Sequence, residues 1–184
     1  MKKVLYTLGL LACTGVAANA QTSAIKLNVT SLAVGTFNGS FEHAIGDKSS
    51  FQIGAFYASY GKDTEFKGFG ITPEYRFYFG DKGAMQGFFV GPYVRYQNYK
   101  LSQQSVSFNT GAIYTESATL NTFGGGVNVG YQWIFGEHFS LEPFVRVGYN
   151  SGTPKSDNGN IEDFTLGVFT GTSVLPGLNL GFAF

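Results

Sequence analysis

The stretch from Gly68 to Phe79, reading Gly-Phe-Gly-Ile-Thr-Pro-Glu-Tyr-Arg-Phe-Tyr-Phe, constrains the fold more than any other. Taken at every second residue, one face is Phe69, Ile71, Pro73, Tyr75, Phe77 and Phe79. The other is Gly70, Thr72, Glu74, Arg76 and Tyr78. A period of two is the signature of a strand, because successive side chains point to opposite faces. One face is wholly apolar or aromatic, and the other carries a carboxylate and a guanidinium. That division suits a membrane barrel, with lipid outside and a polar lumen inside. The length fits too, since a tilted spanning strand needs about 9–11 residues.

The first twenty residues read as an export signal rather than as part of the fold. Met1-Lys2-Lys3 is a basic start, Val4 to Ala12 a short apolar run, and Ala18-Asn19-Ala20 a small-residue cleavage site. Cleavage before Gln21 leaves a barrel domain of residues 21–184. A second reading takes Leu10-Leu11-Ala12-Cys13 as a lipoprotein box with Cys13 as the lipidated residue. Loss of Lys2 and Lys3 leaves ten basic residues against twelve acidic ones. A mildly acidic chain argues against nucleic acid as a partner. Cys13 is the single cysteine and leaves with the signal, which excludes a disulfide framework and thiolate chemistry.

The alternation recurs along the chain. Strands are predicted over Ile25–Ser31, Phe37–Ile45, Phe51–Tyr60, Gly68–Phe79, Gly87–Tyr99, Thr122–Phe135, Phe139–Asn150 and Leu178–Phe184. The courses of 32–36 and of 164–177 are left open; the apolar piece Phe164–Phe169 either lengthens the last hairpin or folds into the barrel mouth. Three connections are tight: Gly46 to Ser49, Gly80 to Gly83, and Gly136 to His138. They alternate with longer ones, the longest being Lys100 to Leu120, read as a polar loop. Outer-membrane barrels pair short periplasmic turns with long outer loops. An N-terminus starting in the periplasm places all three tight turns on that side, and this parity argument is independent of hydropathy. Aromatic girdles are expected from Phe51, Phe79, Phe88, Trp133, Phe135 and Phe139 near the short turns, and from Tyr60, Tyr96, Tyr99 and Tyr149 at the loop ends. A soluble sandwich or a lipocalin-like barrel would instead bury these aromatics in a core. The reading adopted is an all-β, eight-stranded, antiparallel transmembrane barrel in an up-and-down meander.

The last residues, Gly181-Phe182-Ala183-Phe184, resemble the terminal aromatic-x-aromatic signal of Gram-negative outer-membrane barrels. The segments Phe41-Glu42-His43, Ile71 to Gly80 and Phe88-Phe89-Val90-Gly91-Pro92-Tyr93 are similar to a family of small outer-membrane barrels labelled a domain of unknown function. Its architecture is similar to OmpA-, OmpX- and OmpW-type barrels. The usual terminal signal has glycine five residues before the end, where this chain has Asn179. The resemblance implies the fold and the bacterial outer membrane, and implies no activity.

Six charges fall on the faces assigned inward: Glu42, Glu74, Arg76, Arg95, Glu142 and Arg146, with Lys26 as a possible seventh. Counted from the short turns, Glu42, Arg76 and Glu142 form a lower layer, and Glu74, Arg95 and Arg146 an upper one. An eight-stranded barrel is narrow enough for side chains to fill. The expectation is therefore a salt-bridged plug, in which Arg95 lies diagonal to Glu74 and pairs with it. The alternative is a gate or narrow path for small solutes.

The enzyme reading rests on His138-Phe139-Ser140, which has the His-x-Ser spacing of an outer-membrane lipid A deacylase. It needs a hydrogen-bonded pair and an orienting third group, with Glu137 and Glu142 as candidates. Ser140 reads as inward and sits at the end away from outer-leaflet lipid. His43 and His138 lie far apart among scattered acids, without metal-ligand spacing. Gly124-Gly125-Gly126 precedes no helix, so it is no phosphate loop. The sequence thus predicts a non-enzymatic, monomeric barrel without catalytic residues, cofactor or metal. Its expected partners are membrane lipid and a ligand or protein at the loop 100–120.

Overall fold

A computed structural model describes residues 22–61, 64–106, 113–156 and 169–184. Nine strands and one short helix follow in order: β1 Ser23–Asn28, α1 Val29–Ala33, β2 Phe37–Gly46, β3 Ser49–Tyr60, β4 Thr64–Phe79, β5 Gly87–Val106, β6 Ile113–Phe135, β7 Phe139–Ser151, β8 Pro154–Ser156 and β9 Gly171–Ala183. All pairings are antiparallel, and each of β1 to β6 pairs with the next. Strand β9 pairs with both β7 and β1, from Ala24↔Ala183 to Asn28↔Asn179, and so closes the sheet. The result is an eight-stranded meander barrel, because β8 is a three-residue addition to the outer part of β6.

The opening stretch behaves as its pattern requires. In β4, Phe69, Ile71, Phe77 and Phe79 are exposed on the outer wall, while Thr72, Glu74, Arg76 and Tyr78 are buried in the lumen. The three tight connections, 47–48, 80–86 and 136–138, lie at one end. There Phe51, Phe79, Phe88, Trp133, Phe135 and Phe139 are exposed as a girdle. At the other end Tyr60, Tyr96 and Tyr149 are exposed, but Tyr99 is not. Tyr99 shares the face of Arg95 and Gln97 and points inward.

Several boundaries differ from the sequence-based expectation, among them the start of β4, which takes in Thr64 to Lys67 ahead of Gly68 by pairing with β3 and β5. The first strand stops at Asn28, whose side-chain oxygen accepts a bond from the Ser31 N–H (2.7 Å) and caps α1. Asparagine favours a cap over a strand interior because its side chain satisfies a free helical N–H. Residues 100–120 are not one loop. Strands β5 and β6 continue in register from Lys100↔Thr119 to Val106↔Ile113. Their inner faces carry Tyr99, Leu101, Ala118 and Leu120, a buried cluster packed against Phe56, Phe66 and Phe169. Phe169 is the described residue of the piece 164–169; its ring lies 4.2 Å from that of Tyr99, inside the mouth. The last strand begins at Gly171 rather than Leu178, accommodating Pro176 opposite Val145 and Gly177 beneath the Phe144 ring. Finally, the 80–86 turn folds back into the barrel end. Met85 is fully buried there, against Ala24 and Ala183. The proposed signal segment and Cys13 lie outside the described residues.

Close packing of the lumen depends on glycine. Gly126 and Gly148 face each other across β6 and β7. A Cβ on Gly148 would collide with the Tyr93 hydroxyl, and one on Gly126 with the Val147 carbonyl. The room left by these glycines therefore goes to a tyrosine ring and to close strand approach.

The candidate functional site: a charge network across the lumen

The lower layer is assembled from strands on opposite sides of the barrel. Lys26 from β1 forms ion pairs with Glu42 on β2 and Glu142 on β7, and donates to Gln132 Oε1 on β6 (2.9 Å). Arg76 from β4 forks onto Glu142, Nη1 to Oε2 at 2.8 Å and Nη2 to Oε1 at 3.0 Å. A planar fork on a carboxylate fixes direction as well as distance. Arg76 Nη1 also lies 3.5 Å from Glu42, and its guanidinium covers the Phe89 ring at 4.2 Å. Glu42 accepts further bonds from Ser50 and Tyr78. All four charged side chains are fully enclosed. Two cations meet two carboxylates, so this layer is neutral.

Asn179, the departure from the usual terminal pattern, has a place in this layer. Its Nδ2 donates to Glu142 Oε1 (2.9 Å), and its oxygen accepts from Asn28 Nδ2 (3.0 Å). A glycine there would leave both without that partner.

Glu74 links the layers. Its Oε1 accepts from Arg76 Nε (2.6 Å) and Asn128 Nδ2 (2.9 Å), and its Oε2 from Arg146 Nη2 (2.9 Å). The expected Arg95–Glu74 pair is not made. Strand register sets Glu74 opposite Tyr93, so Arg95 is diagonal to Glu74 as anticipated. Yet Arg95 Nε donates to Thr72 Oγ1 at 3.1 Å, and its guanidinium lies 5.2 Å from the Tyr93 ring centre. Arg76 and Arg146 occupy the Glu74 oxygens instead. The six predicted residues thus share one lumen, but five form the connected ion network, joined by Lys26, while Arg95 stands outside it.

Tyr78, Asn128, Gln132 and Asn179 were legible only as inward polar positions; their roles as partners were not. The His138–Ser140 pair is not formed. The His138 ring donates from Nδ1 to the Ala183 carbonyl (3.0 Å) and stacks on Phe182, while the buried Ser140 hydroxyl has no hydrogen-bond partner among the described residues. Glu142, one candidate for the orienting group, is committed to Arg76, Lys26 and Asn179. His43 is bonded to the Ser23 hydroxyl at 2.9 Å.

Among solved structures, the chain is similar to the N-terminal β-barrel domain of Pseudomonas aeruginosa OprF, at 16% identity and TM-score 0.39 over 90% of this chain and all of that one. It is also similar to Acinetobacter baumannii CarO2, at 10% identity and TM-score 0.47 over 89% and 98% of the two chains. A major outer membrane protein from Thermus thermophilus matches at 13% identity and TM-score 0.46, over 90% and 100%. No curated protein matches the chain. Residues 6–160 match the family model described as "Protein of unknown function (DUF3575)", and the chain belongs to that family.

Proposed function

We propose that this chain is an integral barrel of the bacterial outer membrane, without catalysis and without steady conductance, that acts through the part of β5 and β6 beyond the membrane. The observation that carries this reading is the inside-out distribution of side chains. Phe41, Ile53, Ile71, Val127 and Val145 stand 42–46% exposed on the outer wall, while Glu42, Arg76 and Glu142 are at 0% inside. Water penalises such an outer wall, and a bilayer rewards it. No helix among the described residues is long and apolar enough to cross a membrane.

The neutral lower layer and the Met85 stopper beneath it argue for a sealed lumen rather than a narrow solute path. Strands β5 and β6 run to 20 and 23 residues, about twice the 9–11 that a spanning strand needs. Their far ends and the loops around them offer the surface where a ligand or protein partner would meet the barrel. Export by an N-terminal signal and a monomeric state complete the reading. Fractionation of cells expressing the chain tests location, and unboiled against boiled samples in detergent test the barrel. Planar-bilayer recording tests the seal. Recovery as a soluble protein without detergent would sink the membrane reading, and large stable openings would sink the sealed lumen.

A further inference from the structure

Arg95 is a buried cation that meets no carboxylate among the described residues. Its residue is 6% exposed, and among the described residues its partners are the Thr72 hydroxyl and the Tyr93 ring. Arg146 lies against the same ring at 5.1 Å. One of its terminal nitrogens serves Glu74, but its buried Nε has no hydrogen-bond partner among the described residues. Across the described lumen, Lys26, Arg76, Arg95 and Arg146 face only Glu42, Glu74 and Glu142. Among the described residues the lumen therefore carries one excess positive charge, and it sits at the Arg95–Arg146 end. An aromatic face eases a buried cation but does not neutralise it. Buried charges are normally paired, because desolvating an unpaired one is costly.

A polar cavity of about 30 Å³ lies against both arginines. Thr72, Asn38 and Gln52 also line it. The Gln52 side-chain oxygen has no donor among the described residues, and turning that amide end for end presents its NH₂ group instead. A water needs roughly 10–15 Å³ measured this way, so the space takes one small ion and excludes a whole metabolite. On the loop side Arg95 also lines a second cavity of about 220 Å³, with Gln97, Asn150 and Ser173. Arg95 is thus common to the small site and to the larger space above it.

We propose that the small cavity binds one monovalent anion of chloride size between the guanidinium groups of Arg95 and Arg146. The anion supplies the missing negative charge, and the neutral donors around it set the size limit. The site lies above the neutral plug, so it needs no conducting lumen.

The test uses the whole barrel, refolded in zwitterionic detergent and exchanged into gluconate, with chloride alone titrated at constant ionic strength. The chloride NMR line should broaden in a saturable way, and the urea midpoint should rise with chloride as binding to the folded state requires. Arg95→Met should lose both effects while still migrating as a folded barrel on unboiled gels. Arg95→Lys, which keeps the charge, should retain them at weaker affinity. A wild-type midpoint unmoved by chloride overturns the proposal whether or not the variants fold. So does equal broadening in the wild type and in folded Arg95→Met.

Discussion

Changing Glu142 to glutamine keeps the size of the side chain and removes one charge from the centre of the lower layer. Glu142 holds both guanidinium nitrogens of the Arg76 fork, the Lys26 ammonium and the Asn179 amide. In Glu142→Gln one of the two oxygens becomes an NH₂ that faces donors. Arg76 and Lys26 then share only Glu42 and, for Arg76, Glu74. Breaking a buried pair by removing one partner costs about 3–5 kcal/mol, because the other charge stays buried. Lys26→Met removes a fully enclosed cation and leaves Glu42 and Glu142 to share Arg76, so a loss of the same order is expected. The double variant restores equal numbers of cations and carboxylates in that layer. It should lose less than the sum of the singles, by roughly 0.5–3 kcal/mol. The assay is equilibrium urea unfolding in lipid vesicles, followed through Trp133, the single tryptophan, which lies on the outer wall. Strictly additive losses, or a Glu142→Gln loss below about 1 kcal/mol, would refute the claim that the layer acts as one network.

Glu74→Gln and Glu74→Gln combined with Arg146→Met should show coupling in the same assay, whereas Glu74→Gln with Arg95→Met should be additive, since Arg95 and Glu74 share no bond. Ser140→Ala should leave stability unchanged or slightly raised, because its buried hydroxyl is unpaired. Mass spectra of lipid A should be identical with the wild type and with Ser140→Ala; an acyl chain lost only with the wild type would restore the enzyme reading. Gly148→Ala should destabilise by about 1–3 kcal/mol through the collision with Tyr93, read as a lower urea midpoint, and Tyr93→Phe should relieve part of it.

Which side chains face the lumen was readable from alternation alone, because strand geometry is local. Glu42, Glu74, Arg76, Arg95, Glu142 and Arg146 all lie on inward faces of their strands. Which of them touch was not readable, because partners across a barrel depend on tilt and stagger, which no single strand encodes. Arg95 illustrates the limit. Its diagonal placement beside Glu74 followed from the hairpin, but Arg76, two residues along the same face, and Arg146, from β7, reach Glu74 instead. The hairpin beyond Tyr99 was missed for a compositional reason. Serine, threonine and glutamine read as loop, although Tyr99, Leu101, Ala118 and Leu120 alternate inward and bury one another. Met85 gave only the weak signal of an apolar residue between two glycine-containing ends of a turn.

The network also bears on how the barrel closes. Closure requires β9 to pair with β1 after the chain has travelled around the whole sheet, and a slip of one residue would turn every side chain of a strand to the wrong face. The backbone ladder alone distinguishes such slips weakly. The lower layer does so strongly, because its members come from both sides of the seam: Lys26 on β1, Glu42 on β2, Glu142 on β7 and Asn179 on β9. A one-residue slip of β9 would carry Asn179 out of reach of Glu142 and Asn28 and bring Leu178 or Leu180 toward the charges. Slipping β1 would send the Lys26 ammonium to the outer wall and leave two carboxylates with Arg76 alone. Buried charge is a poor source of net stability but a good source of discrimination between registers. On that argument the contacts of the layer favour the register in which β9 closes on β1.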